Sequence, residues 1–469
     1  MKTTATCSRH VTAAALTRRR FLRTTALAAL AGAALPYDRL LAAAAGGAAA
    51  PKFKNLVTGR AVRLAFAGIG GRGNSNIDGL TQLPGVEVAA LCDVDFDRAR
   101  KNFARFPLAP RYRDYRHMLD EQHDRIDAVV ISTPDHMHFP VALMAIGRGK
   151  HVYVEKPLAH TIGEARLLKA AAIKHGVVTQ MGNQGSAQEG CRITREWLDA
   201  GVIGTVREVH CWTNRPVWPQ GMPAPRPDAA SPLPPTLEWN LWQGVAPVRD
   251  YAPKIVPFNW RGFLDYGCGA LGDMGCHILN APFFALDLRG DCTVAAEHSG
   301  IAEGVWPEWS VITCRFPARG ARAPLKLVWY DGGKTPAKPG SFDADTKLGK
   351  GGTIYLGDKG ALYDTNDYGG APRVFPAALA KDFAQNRPPK TLPRVAKNSI
   401  YADWINAITA AGPAPCSNFI DHSVDLTETT LLGNLALLSG KPIHWDSAAG
   451  AVTARPDLNQ YINKTYRLF

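Results

Sequence analysis

The stretch Val62-Arg63-Leu64-Ala65-Phe66-Ala67-Gly68-Ile69-Gly70-Gly71-Arg72-Gly73 decides how the rest of the chain is read. Leu64 to Ala67 is a short apolar run suited to a buried parallel strand, and it leads directly into Gly68-x-Gly70-x-x-Gly73. That spacing fits a dinucleotide site. Gly68 permits a tight turn, Gly70 lets the backbone approach a pyrophosphate, and Gly73 lets the next helix lie close against the strand. The helix then turns its N-terminal amides and dipole toward the phosphates. A second apolar run, Val86 to Cys92, ends at Asp93. An acid at that point accepts hydrogen bonds from an adenosine ribose and repels a 2′-phosphate, so the expected cofactor is NAD in preference to NADP.

Downstream, strand and helix patterns alternate. Ala128 to Ser132 reads as a buried strand ending at Thr133-Pro134, Val141 to Gly147 as a helix, and His151 to Val154 as a strand. Glu164 to His175 reads as a helix stopped by Gly176, and Val177 to Met181 as one more strand. Such alternation implies βαβ units and a parallel sheet, a Rossmann domain over residues 60–183. The texture then changes. Val206 to Thr213 alternates as a strand, and Pro216 to Pro235 is too rich in proline for regular structure. Trp309 to Phe316, Leu325 to Tyr330 and Thr353 to Leu356 are strand-like, and a Gly-Asp-Lys-Gly turn at 357–360 makes a hairpin with Ala361 to Tyr363. Strands without intervening helices predict a largely antiparallel sheet, so residues 184–469 form a C-terminal α/β domain for substrate and oligomerisation.

The first fifty residues are set apart. Arg18-Arg19-Arg20-Phe21-Leu22 precedes a short apolar segment, Thr24 to Leu35, and then alanine-rich sequence. This resembles a twin-arginine export signal, which implies the export machinery as a partner and a periplasmic or otherwise exported location. The segment is too short to span a bilayer. The leader holds +6 of the formal net charge of +13, leaving +7 for the remainder, with no dense basic run that would indicate nucleic acid. The nine cysteines include no Cys-x-x-Cys pair, and mostly free, buried thiols are expected. Cys268, Cys276 and His277 lack an evident fourth ligand, so no metal is assigned.

Two constellations carry chemistry. Glu155-Lys156-Pro157 follows directly on a parallel strand, where open α/β sheets place ligands. Lys156 there can reach a substrate hydroxyl or a nicotinamide. In Gly269 to His277, a helix beginning at Asp273 puts His277 on the same face, and the carboxylate would orient a histidine base for a hydroxyl proton. Trp212, Asn214, Arg215, Trp218, Asn259 and Arg261 offer aromatic faces and donors suited to a sugar ring.

Together, the glycine pattern, Asp93, Thr133-Pro134-x-x-x-His138, Glu155-Lys156-Pro157 and Asp273-x-x-x-His277 resemble the glucose–fructose oxidoreductase, inositol dehydrogenase and MocA (Gfo/Idh/MocA) superfamily. Met181-Gly182-Asn183-Gln184 and Trp260-Arg261-Gly262 resemble its exported branch. The resemblance implies cofactor contacts from Gly68, Gly70, Gly73, Asp93, Thr133, Pro134, His138, Glu155 and Lys156. It implies Lys156, Asp273 and His277 as the catalytic set, and a homo-oligomer built on the open sheet. The expected function is an exported NAD(P)-dependent oxidoreductase acting on a hydroxyl of a sugar, polyol or glycoside, with tightly held NAD. Residues Pro51 to Arg60 are expected to fold over the nucleotide as an arm. A glycosidase or epimerase that never releases its NAD, and a non-catalytic sugar-binding protein on the same fold, are the alternatives.

Overall fold

A computed structural model describes residues 53–469 apart from 371 and 411. The leader, and Pro51 and Lys52 of the expected arm, lie outside the described residues.

The first sheet has six parallel strands in the order β3-β2-β1-β4-β5-β6. They are β1 (Val62–Ala67), β2 (Val86–Cys92), β3 (Arg111–Tyr112), β4 (Ala128–Ile131), β5 (His151–Val154) and β6 (Thr179–Met181). Strand β1 pairs with β2 on one side and β4 on the other, so chain order reverses there and a crevice opens at the carboxyl ends. Crossovers are α1 (Gly71–Thr81), α2 (Phe96–Arg105), α3 (Tyr115–Glu121), α4 (Asp135–Gly147) and α5 (Ile162–His175). Helix α4 begins six residues before the expected Val141 and continues across Pro140. Its polar start and proline hide it from the periodic pattern. Helix α5 starts at a reciprocal cap, with the Thr161 hydroxyl accepting from the Glu164 amide and the Glu164 carboxylate accepting from the Thr161 amide.

After α6 (Glu189–Asp199) comes β7 (Val206–Trp212), then α7 (Trp239–Gln243), α8 (Gly269–Ile278) and α9 (Asn280–Leu286). Strands β8 (Cys292–His298), β9 (Ser310–Phe316), β10 (Leu325–Tyr330), β11 (Gly352–Gly357), β12 (Ala361–Asp364) and β13 (Arg373–Phe375) follow. The chain ends through α10 (Ala377–Gln385), α11 (Ile400–Ala410), α12 (Val424–Ser439) and β14 (Ile443–Trp445), closed by a last short helical turn. The second sheet has eight strands in the order β13-β12-β11-β7-β10-β9-β8-β14. It is antiparallel except where β7 runs parallel to β10. One face packs on α12, whose Leu431, Leu432 and Leu435 share a core with Ile312, Cys314 and Leu327. Helix α8 lies close on α12, because a Cβ at Gly275 would stand 2.6 Å from the Thr430 side chain. The eight described cysteines are unpaired, and seven are buried.

Two features depart from the linear division of the chain. Helix α11 returns to the first domain, where Ile400, Trp404, Ile405 and Ile408 join a core with Leu64, Phe66 and Tyr153. The described part of the arm also runs elsewhere than expected. The Lys54 amide donates to Gly176 O (2.7 Å), and the Asn55 side chain donates to Gly149 O (3.1 Å). Those acceptors precede β6 and β5, so residues 53–60 lie at the edge formed by the strand starts. A nucleotide belongs at the opposite edge. Phe53, Leu56 and Val57 explain the placement, since they pack into the apolar cluster around β1 and α11.

Candidate active site

The crevice beside β1 is shaped by missing side chains. Gly68 has φ +78°, and a Cβ on it would lie 2.7 Å from Ser132 O. A Cβ on Gly73 would lie 1.9 Å from Gly68 O. Gly70 begins α1 with no side-chain cap and no acid in the first turn, which leaves the helix end open to an anion. The Thr133 hydroxyl, at the end of β4, is buried without a partner among the described residues. An uncapped helix end, a cradle that a methyl group would fill and an orphaned hydroxyl together fit a dinucleotide.

Asp93 stands at the end of β2, but its carboxylate is engaged with the glycine loop. Oδ2 accepts from the amides of Ile69 (2.8 Å) and Gly70 (3.2 Å), and Oδ1 accepts from Asp95 N (3.0 Å). Burial pushes its pKa up against these bonds. Asp93 therefore braces the glycine loop. Pro134 precedes α4 as its cap residue. His138 departs from the expected cofactor contact: its ring nitrogens lie 2.7 Å from Pro157 O and 2.8 Å from Thr133 O, in a buried position. It braces the loops after β4 and β5. Glu155 is likewise committed inside the protein, accepting from Arg72 Nε (2.8 Å) and Asn76 Nδ2 (3.0 Å) and so joining α1 to β5.

Lys156 emerges from β5 and crosses to the second domain. Its Nζ donates to Asp273 Oδ1 (2.9 Å) and to Asp273 O (2.8 Å), and Arg261 Nε reaches the same carboxylate oxygen at 3.1 Å. Burial alone would raise the Asp273 carboxyl, but Lys156 and Arg261 outweigh it and hold it well below its ordinary range. Asp273 sits mid-helix in α8 and does not begin it. It also does not hydrogen-bond His277, as the spacing had suggested. His277 Nδ1 instead faces Asn183 Oδ1 at 3.2 Å. Burial, then the Lys156 charge, pushes the imidazole well below 6.5, with Asp273 opposing.

The neutral ring has a defined tautomer. Asn183 Nδ2 donates to Asn280 Oδ1 (3.0 Å) and Ser186 Oγ (3.2 Å), which turns Asn183 Oδ1 toward His277. His422 Nε2 also bonds Asn280 Oδ1, at 2.7 Å, and closes the network. An amide oxygen only accepts, so His277 carries its proton on Nδ1 and its lone pair on Nε2. The Tyr368 ring stands edge-on to the imidazole, 4.8 Å between centroids. Lys156, Asp273 and His277 line one cavity of about 630 Å³, together with Arg72 and Glu155 from the first domain.

Comparison with known proteins agrees with the two-domain fold. Residues 62–183 match the Gfo/Idh/MocA oxidoreductase family model for an NAD-binding Rossmann fold, and residues 212–304 match the C-terminal alpha/beta domain of the same family. The chain belongs to the Gfo/Idh/MocA superfamily. It is 35% identical over 162 residues to a glycosyl hydrolase family 109 protein of Shewanella pealeana, covering 32% of this chain and 35% of that protein. It is 39% identical over 112 residues to an alpha-N-acetylgalactosaminidase of Shewanella oneidensis, covering 22% of this chain and 24% of the other. The chain thus spans about a third or less of these relatives' lengths. In fold it is similar to the WlbA dehydrogenase of Bordetella pertussis, solved with NADH and UDP-GlcNAcA, at TM-score 0.57 and 17% identity over 82% of this chain and 99% of that one.

The Gfo/Idh/MocA chain brings together only part of the expected sugar surface. Arg215, Trp218 and Arg261 line the cavity. Trp212 is fully buried in the second sheet, stacked on Tyr363 with its N–H on Gly349 O. Asn259 donates to Lys254 O, and Asn214 accepts from Arg215; neither lines the cavity. Asn183, Arg72 and Tyr368 are site residues that spacing did not single out. Asn183 follows β6 as Lys156 follows β5, so the same strand-end logic reaches it. Tyr368 arrives from a loop after β12 and carries no local signal.

Two outcomes are expected here. Asn183→Leu removes the acceptor that fixes the tautomer, so kcat should fall about tenfold with NAD affinity kept, roughly the value of one hydrogen bond to a charge-bearing group. Unchanged kcat in that variant would mean that Asn183 only packs. Because the His277 pKa is lowered, its basic form is present above that lowered value and is lost only as pH falls through it. The acid limb of kcat/KM should therefore lie below pH 6.5, and an acid limb with its midpoint at or above 6.5 would contradict a buried neutral base.

Proposed function

We propose that this Gfo/Idh/MocA protein is an NAD-dependent oxidoreductase acting on a hydroxyl of a sugar or glycoside. The observation that supports it most is the meeting of Lys156, Asp273 and His277 in one cleft beside the glycine loop. NAD, when bound, supplies the hydride acceptor. His277 Nε2 takes the hydroxyl proton. Lys156, held by Asp273, directs its remaining N–H toward the same oxygen and stabilises charge as it develops there. Asp273 keeps the lysine placed and favours the imidazolium through space. Glu155 fixes the Arg72 turn at which the pyrophosphate is expected.

Mass spectrometry of denatured protein for NAD(H) or NADP(H), followed by a sugar panel monitored for NADH, tests this reading. Sugar-dependent NADH release supports it. The family 109 relatives favour a second reading, a redox-neutral glycosidase, for which cleaved glycoside would accumulate with no net NADH. Binding without any turnover would reject both. We also propose export through the twin-arginine leader. Residues 1–50 fused to a reporter should carry it to the periplasm, and Arg18→Lys with Arg19→Lys should stop it; cytoplasmic retention of the unaltered fusion would end that proposal.

A further inference from the structure

The cleft is lined by four cations, Arg72, Lys156, Arg215 and Arg261, and by two carboxylates, Glu155 and Asp273. Arg72 is matched by Glu155 at 2.8 Å. Lys156 and Arg261 share the single carboxylate of Asp273. Arg215 alone of the four has no ion pair among the described residues; its guanidinium meets the neutral side-chain oxygen of Asn214. Asp367 senses Arg215 through space without an ion pair. Arg215 is half-buried on a wall that it shares with Val217, Trp218 and Phe258. With Asp367 acting on it only through space and no carboxylate in contact among the described residues, the Arg215 fork is left available to an anion that a ligand brings. The pyrophosphate does not account for it, since the glycine loop and Arg72 belong to the first domain and Arg215 follows β7 in the second.

A guanidinium presents a planar fork matched to carboxylate, sulfate and phosphate oxygens. On the same wall the exposed Phe258 ring, backed edge to face by the buried Trp218 at 5.9 Å, offers an apolar surface to a sugar ring. We propose that the substrate is an acidic sugar, whose anionic substituent is held by Arg215 while the reacting hydroxyl lies at His277. The inference rests on the sugar-oxidoreductase reading above and narrows it to a charge class.

The test measures calorimetric binding to NAD-loaded full-length protein for matched pairs: methyl glucuronide against methyl glucoside, N-acetylglucosamine 6-sulfate against N-acetylglucosamine, and glucose 6-phosphate against glucose. The pairs separate carboxylate, sulfate and phosphate. One acidic member should bind about tenfold or more tighter than its neutral partner, the usual value of a charge-assisted pair. Arg215→Gln should bring that ratio to within about threefold. Arg226→Gln removes the same charge from an exposed point on the Pro-rich loop and should keep the ratio; a matching loss there would assign the preference to general charge and overturn the role of Arg215. Neutral members that bind and turn over as well as acidic ones, or a preference that survives Arg215→Gln, would overturn the inference and leave the sugar reading standing. Absence of binding and turnover with every sugar would reject both. NAD retention and melting temperature of each variant report that it is folded.

Discussion

Replacing His277 with alanine should lower turnover about 10²- to 10⁴-fold while NAD remains bound, the usual weight of a positioned proton acceptor. The size follows from what else the cleft holds. Lys156 is committed to Asp273 through two hydrogen bonds, and Asp273 is held ionised by two cations. Glu155 is tied to Arg72 and Asn76. None of them can take over as a base near neutrality without breaking those bonds. The alanine variant also orphans Asn183 Oδ1, a cost of about 1–3 kcal/mol, so melting temperature must be read beside the kinetics. His277→Asn keeps a donor for Asn183 and still lacks a titrating nitrogen. Comparable losses in both variants would separate proton transfer from packing. Activity within a few-fold of the unaltered protein in either would show that His277 is a satisfied core histidine.

Much of this site is legible in the sequence because its residues lie at strand ends. The glycine pattern, Asp93, Thr133, Glu155 and Lys156 all follow parallel strands, and their order along the chain maps onto the crevice. Partners are less legible. Asp273 and His277 share a helix face, yet the bonds that matter join Asp273 to Lys156 and His277 to Asn183, contacts between residues far apart in sequence. The tryptophans show the same limit. Trp218 lines the cavity and Trp212 is core, although both lie within a few residues on one strand and the loop after it. Composition does not separate them, because what decides is tertiary: Trp212 lies within β7 and stacks on Tyr363, whereas Trp218 lies in the following loop against Phe258 and Arg261. The docking of α11 on β1 has no local signal, since it depends on the apolar face that the Rossmann sheet presents between β1 and β5. Strands β8 and β14 pair with each other at the far edge of the second sheet. Their mixed polarity gives little alternation to read.

Gly73→Ala should abolish useful NAD binding. The added methyl would begin 1.9 Å from Gly68 O, which is backbone and cannot rotate away. Either α1 must lift from β1 or the turn at Gly68 must open. That turn is itself confined, with φ +78° and Ser132 O directly behind it. Lifting α1 would also break the ties that depend on its position, Arg72 to Glu155 and Asn76 to Ser132 Oγ (2.8 Å). Overpacking of this kind costs about 1–3 kcal/mol where side chains can yield, and more where backbone meets backbone. With the phosphate-facing helix end displaced as well, affinity for NAD should fall on the order of 10²-fold or more. Calorimetric titration of cofactor-free protein measures the loss, and a melting curve separates it from unfolding. Gly147→Ala is the matched control. It lies at the end of α4 with nothing within 4 Å of its Cβ position, so the extra methyl should be neutral or mildly stabilising. If Gly73→Ala bound NAD as tightly as Gly147→Ala, the glycine loop would not be the pyrophosphate cradle, and the cofactor would have to enter the cleft by another route.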